Sequence, residues 1–114
     1  MIDVPPDRFE ELVADALDSI PPDLGGLMDN VWVQVEERAR PGLLGLYEGV
    51  PLTARDAAYS GMVMPDRITI FRRSICAVSS SEEEVVEQVR TTVVHEVAHH
   101  FGIDDERLRE LGWG

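Results

Sequence analysis

The sequence of 114 residues predicts a single α+β domain, a small mixed β-sheet packed with an N-terminal helix and with a later helix that carries the chemistry. Three observations carry that expectation. Apolar residues recur at helical spacing from Phe9 to Ile20; the period drops to two around Val31 to Glu36 and again at Arg67 to Phe71; helical spacing returns after Ser81. The order helix, strand, strand, strand, helix, helix gives a short sheet helices to pack on, and the length suits one core.

Pro5 and Pro6 close an extended lead-in, and Asp7 is placed to cap the helix that follows. Phe9, Leu12, Val13, Ala16, Leu17 and Ile20 fall on one face, while Glu10, Glu11, Asp15 and Asp18 fall outside it and belong in water. Pro21 and Pro22 end the helix. Beyond Gly25 and Gly26, Val31, Val33 and Val35 alternate with Trp32, Gln34 and Glu36, the pattern of a strand with one buried face. Glu37 to Gly42 reads as a loop, and Leu43 to Tyr47 as a second strand stopped by Glu48, Gly49 and Pro51. Gly45 inside it predicts a bulge or a close approach by another backbone. Residues 54–61 fit either a short helix or a loop. Pro65 and Asp66 turn the chain into a third strand, where Ile68 and Ile70 alternate with Thr69 and Phe71; Arg72 and Arg73 follow, with surface carboxylates as their expected partners.

Ser81 and Glu84 have the spacing of a capping box. After it, Val86, Val89, Val93 and Val97 share one side of a helix and His95 projects from the other, so one face anchors and the other presents ligands. β-Branched residues are mediocre helix formers, which makes burial the force that must hold this segment helical. Leu108, Leu111 and Trp113 are expected to seat a last short helix.

The chemistry is concentrated in HEVAHHFGIDD, His95 to Asp105. His95 and His99 stand at i and i+4 and project from the same helical face, so two imidazoles can share one metal. Glu96 lies at the edge of that site, where a carboxylate can take a proton from metal-activated water. Two histidines alone bind zinc too weakly to define a catalytic site. Gly102 supplies a chain reversal, since glycine accepts the left-handed conformation past a helix end, and Asp105 follows three residues later as candidate third ligand. Asp104 is read as the N-cap of the next helix and Glu106 as the alternative donor. His100 projects about 100° away from His99 and is expected to pack behind the site.

This string resembles the extended motif of the zincins in the variant whose third ligand is aspartate, the Asp-zincin pattern. With LLGLYEGVPLT at Leu43 to Thr53 and PDRITIFRR at Pro65 to Arg73, the chain resembles the short bacterial zincin-like metallopeptidases over roughly half of its length. The resemblance implies a minimal zincin-like domain spanning residues 1–114, with Zn2+ held by His95, His99 and Asp105 and peptide-bond hydrolysis with Glu96 as general base. It also implies that an extended peptide pairs with an exposed strand at the sheet edge, for which Leu44 to Tyr47 is the candidate, an ordinary core strand being the other reading of that segment. Longer relatives place a methionine-bearing turn beneath the metal, downstream of the third ligand. No methionine follows Asp105 here, so Trp113 is expected to pack under the site instead. Tyr47 and Tyr59 each carry a phenol, and neither is assigned a catalytic role.

The balance of 22 acidic against 10 basic residues, a net charge of −12, repels phosphate backbones and anionic membrane surfaces, so neither nucleic acid nor membrane is an expected partner. Cys76 is the single cysteine, which rules out an intrachain disulfide or a thiolate cluster for zinc and suits the cytoplasm. No basic segment followed by an apolar run opens the sequence, and no apolar stretch nears the roughly 20 residues that span a bilayer. The expected partner is a peptide or protein substrate. A second function class is a catalytically silent metal-binding or protein-interaction module on the same scaffold, motivated by how little chain is left to build specificity pockets.

Overall fold

A computed structural model of the chain describes residues 1–38, 40–56, 59 and 65–110. The first helix, α1 (Pro6–Asp18), begins on a proline, which fits a first turn where the missing N–H has no helical partner to lose. No side chain caps this end. Asp7 lies inside the first turn, where its charge meets the positive end of the helix dipole, and not at the cap position expected for it. Phe9, Leu12, Val13 and Ala16 are buried; Leu17 and Ile20 are only partly covered because the helix stops at Asp18. A single turn, α2 (Pro22–Gly25), follows.

Strands β1 (Val31–Glu36), β2 (Gly45–Glu48) and β3 (Asp66–Phe71) form a mixed sheet in the order β1-β3-β2, with β1 parallel and β2 antiparallel to β3. The alternation expected for β3 is overridden, because a central strand is covered on both faces: Ile68, Thr69, Ile70 and Phe71 are all buried and only Arg67 is exposed. β2 starts two residues later than Leu43. Pro41 and Gly42, the latter at φ 81°, make a tight turn in which the Leu43 N–H donates to the Arg40 carbonyl at 2.9 Å, and this turn takes up the start of the apolar run.

Helix α3 (Arg72–Ala77) grows directly out of β3. Its first residue, Arg72, is more buried than a surface partner would be. The guanidinium bonds both carboxylate oxygens of Glu37 at 2.7 Å and also reaches Asp3 and the Val4 carbonyl, tying the N-terminal segment to the sheet. Helix α4 (Glu82–His100) is capped by the Ser81 hydroxyl, which accepts from the Glu84 N–H at 3.1 Å; Glu84 in turn accepts from the N–H of Ser80, one residue earlier than in a regular capping box. Val85, Val89, Val93 and Val97 form the buried row, and Val86 sits at its margin. They join α1, β3 and α3 in one core. Helix α5 (Asp105–Glu110) is seated by Leu108, whereas Leu111 and Trp113 lie outside the described residues. No described helix is long and apolar enough to cross a membrane.

Candidate metal centre

His95 and His99 leave α4 one turn apart, their ring centroids 4.6 Å from each other, on the side of the helix away from the valine row. Between them Glu96 is buried, 6% exposed. The helix then closes in a Schellman motif: the Gly102 N–H donates to the His99 carbonyl and the Ile103 N–H to the Ala98 carbonyl, both at 2.9 Å, with Gly102 at φ 84°. A side chain at Gly102 would be doubly penalised, since its Cβ would also fall 2.0 Å from the Thr53 hydroxyl. The reversal returns the chain over the histidines. Asp104 caps α5 by accepting the Arg107 N–H at 2.8 Å, and the exposed carboxylate of Asp105 reaches back to the two histidines.

Asp105 Oδ1 lies 3.0 Å from His95 Nε2 and 2.9 Å from His99 Nε2, so the two imidazoles address one carboxylate oxygen. Donors around a tetrahedral zinc with bonds near 2.0 Å lie roughly 3.3 Å apart, close to the two separations from Asp105. Two imidazole nitrogens and a carboxylate oxygen are a donor set that suits it. His95, Glu96 and His99 also offer one ligand atom each within 4.8 Å of one another. Glu96, however, meets His99 through Nδ1, at 3.3 Å, on the far side of the ring from the nitrogen that faces Asp105. The two carboxylates therefore divide the imidazole between them.

Their acidities diverge accordingly. Burial pushes the Glu96 carboxyl up, and the nearby charges of His99 and His95 offset only part of that. The His99 hydrogen bond holds Asp105 below its ordinary range, helped by the charges of both histidines. Two carboxyls driven apart in this way suit a proton acceptor and a permanent anion respectively.

The centre opens into a cleft of about 490 Å³ between residues 42–47 on one wall and Gln88, Thr91, Thr92 and the site residues of α4 on the other. Among the described strands β2 is an edge, paired only with β3. Because the Phe71 N–H donates to the Leu44 carbonyl, the alternation of an antiparallel ladder turns the backbone groups of Leu44, Leu46 and Glu48 toward β3 and those of Gly45 and Tyr47 outward. What approaches Gly45 is the site helix itself: a Cβ there would lie 2.6 Å from Thr92 Cγ2 and 3.2 Å from Glu96 Cγ.

Tyr47 lines the cleft, but its hydroxyl donates to Asp66 and is committed there; burial first, then that hydrogen bond, push its pKa far up. Tyr59 accepts from the Asn30 amide at 2.7 Å and does not line the cleft. His100 is fully buried behind His95 and His99, with Nδ1 3.1 Å from Asp66 and Nε2 accepting the Asp29 N–H. Asp66 and Arg55 were not expected near the site, and no local spacing in the sequence marks them. Trp113 lies outside the described residues.

A conserved hypothetical protein from Thermo thermophilus has a similar solved structure, with a TM-score of 0.56 at 26% identity over 93% of this chain and 95% of that one. Among curated proteins none matches significantly. The zincin-like metallopeptidase family matches residues 27–113, more than half of the sequence and the whole of the cleft, and the chain belongs to that family.

Proposed function

We propose that the chain is a zinc-dependent peptidase in which His95, His99 and Asp105 hold the metal and Glu96 is the general base. The observation that carries this is the meeting of two Nε2 atoms on one Asp105 oxygen, with a buried Glu96 beside them. Zinc bound there would lower the pKa of water to about 7 and polarise a carbonyl oxygen. Glu96 takes the proton from the attacking water and returns it to the leaving amine. Its burial makes it a stronger base than a solvated carboxylate, which favours the first transfer. Asp105 stays anionic throughout and holds both imidazoles in orientation.

The substrate in this proposal is an extended peptide laid along the free edge of β2. The outward N–H and C=O groups of Gly45 and Tyr47 support strand addition, which needs unpaired backbone donors and acceptors at a spacing of two residues. The test is Glu96→Gln, assayed for zinc content and for cleavage of a peptide library. Stoichiometric zinc with hydrolysis lost by a factor of about 10² to 10⁴ is the expected result. Undiminished cleavage by the variant removes Glu96 from the mechanism, and zinc binding without cleavage by the parent chain favours the silent module.

A further inference from the structure

Behind the cleft lies a buried polar cluster that the proposed mechanism does not use. Asp66, at the start of β3 and 1% exposed, accepts from four donors: the Tyr47 hydroxyl, the Val50 N–H at 3.0 Å, Arg55 Nη2 at 3.0 Å and His100 Nδ1 at 3.1 Å. Arg55, its side chain 8% exposed, also bonds the Val50 carbonyl and Asp29. Gly49 leaves room for this convergence, since a Cβ there would fall 2.2 Å from Asp66 Oδ1. Burial pushes the Asp66 carboxyl up, yet the hydrogen bonds from Tyr47, Val50, His100 and Arg55 outweigh it and hold the group below its ordinary range.

A buried ion pair adds little net stability over an apolar filling of the same volume, so stability alone does not account for the cluster. Its donors come from segments that frame the cleft. Tyr47 belongs to β2, Val50 and Arg55 to the segment after it, and His100 is the last residue of α4, next to the ligand candidate His99. The Tyr47 ring stands edge-on to both histidines, 6.4 Å from His99 and 6.1 Å from His100 between centroids. Valine packing anchors α4 along its buried face, and the bonds to Asp66 add at its last turn a directional restraint of a kind that apolar contacts do not supply. Rotation matters here. A turn of about 10° moves a side-chain tip roughly 5 Å from the helix axis by about 1 Å, whereas metal–ligand distances hold to about 0.2 Å.

We infer that Asp66 is a positioning residue for the metal centre: by holding His100 and Tyr47 together it sets the rotation of the last turn of α4 against the end of β2, and so aims His99 at Asp105. This rests on the metal-site reading above. Full-length Asp66→Asn and Tyr47→Phe are compared with the parent chain for zinc affinity, in competition with a chromophoric chelator, and for the visible absorption of the cobalt(II)-loaded protein. Thermal unfolding of the metal-free chains is recorded alongside. Asp66→Asn is expected to weaken zinc binding by about 10- to 100-fold and to shift the cobalt bands. Tyr47→Phe, which removes one donor and leaves no charge unpaired, shifts both in the same direction by less, and decides the matter if Asp66→Asn does not fold. Lower thermal stability with unchanged affinity and spectrum makes the cluster merely structural and overturns the inference. A parent chain that binds no zinc overturns the metal site and this inference with it, whereas a binding parent with unchanged variants retires the positioning role alone.

Discussion

Gly45 shows what a single missing side chain does in this protein. Its φ is not among the positive values found at Gly42, Gly49 and Gly102, so backbone freedom does not explain the glycine. Space does. Thr92 and Glu96, 5% and 6% exposed, stand where its Cβ would be, and neither has room to move aside without disturbing the core or the base. Gly45→Ala is therefore expected to lower stability by about 1–3 kcal/mol through overpacking, and to slow peptide hydrolysis by displacing Glu96 while zinc affinity is kept. Thr92→Ser removes the methyl group that the new Cβ meets and should restore part of both losses in a double-mutant cycle; the contacts to Glu96 Cγ and the Thr69 carbonyl, each at 3.2 Å, limit the recovery. Strictly additive losses in stability and rate would mean that the glycine serves something other than this contact.

At the scale of elements, α4 depends on its start as much as on its valines. The bond from the Glu84 N–H to Ser81 satisfies a donor that the helix cannot, and Ser81→Ala should cost about 1 kcal/mol in urea unfolding, with zinc affinity unaffected because the cap lies more than three turns from His95. A loss of zinc binding in that variant would show that the helix frays as a unit. This cap was legible from the Ser81 and Glu84 spacing, as α1 and α4 were from their periodicity, because those signals are local. The convergence of His95, His99 and Asp105 was legible for the same reason: one helical turn and one glycine reversal bring the three together within a short stretch of chain. α3 was not, since Phe71 passes into Arg72 with no glycine or proline to punctuate the change from strand to helix. Nor was the Asp66 cluster. Its members are spread from Asp29 to His100, and only the pairing of β2 with β3 and the packing of α4 bring them together. Gly45 lay between these cases: its position in a strand pointed to a close approach, but not to side chains of α4 as what approaches.

Over the whole molecule, 22 acidic and 10 basic side chains leave a charge of −12, and much of the basic complement is already engaged. Arg8, Arg38, Arg55, Arg72, Arg90 and Arg107 each pair with carboxylates. Close to the proposed centre, Glu96, Asp104, Asp105 and Glu106 crowd four acidic groups into a few residues around Gly102. On the proposed ligand set, a divalent cation held by His95, His99 and Asp105 would offset that repulsion and clip α5 to α4 across the reversal. Binding to the native state alone adds about 2.7 kcal/mol when free zinc is 100 times its dissociation constant. For a domain of this size each kcal/mol moves the melting temperature by about 4 °C, so zinc should raise it by roughly 10 °C. Sodium chloride at matched ionic strength screens the surface charge equally in every variant and supplies the baseline. His99→Ala should lose most of the zinc-dependent rise and keep the salt-dependent one. An equal zinc response in that variant would assign the stabilisation to scattered surface carboxylates, and would detach the metal from the residues placed around it here.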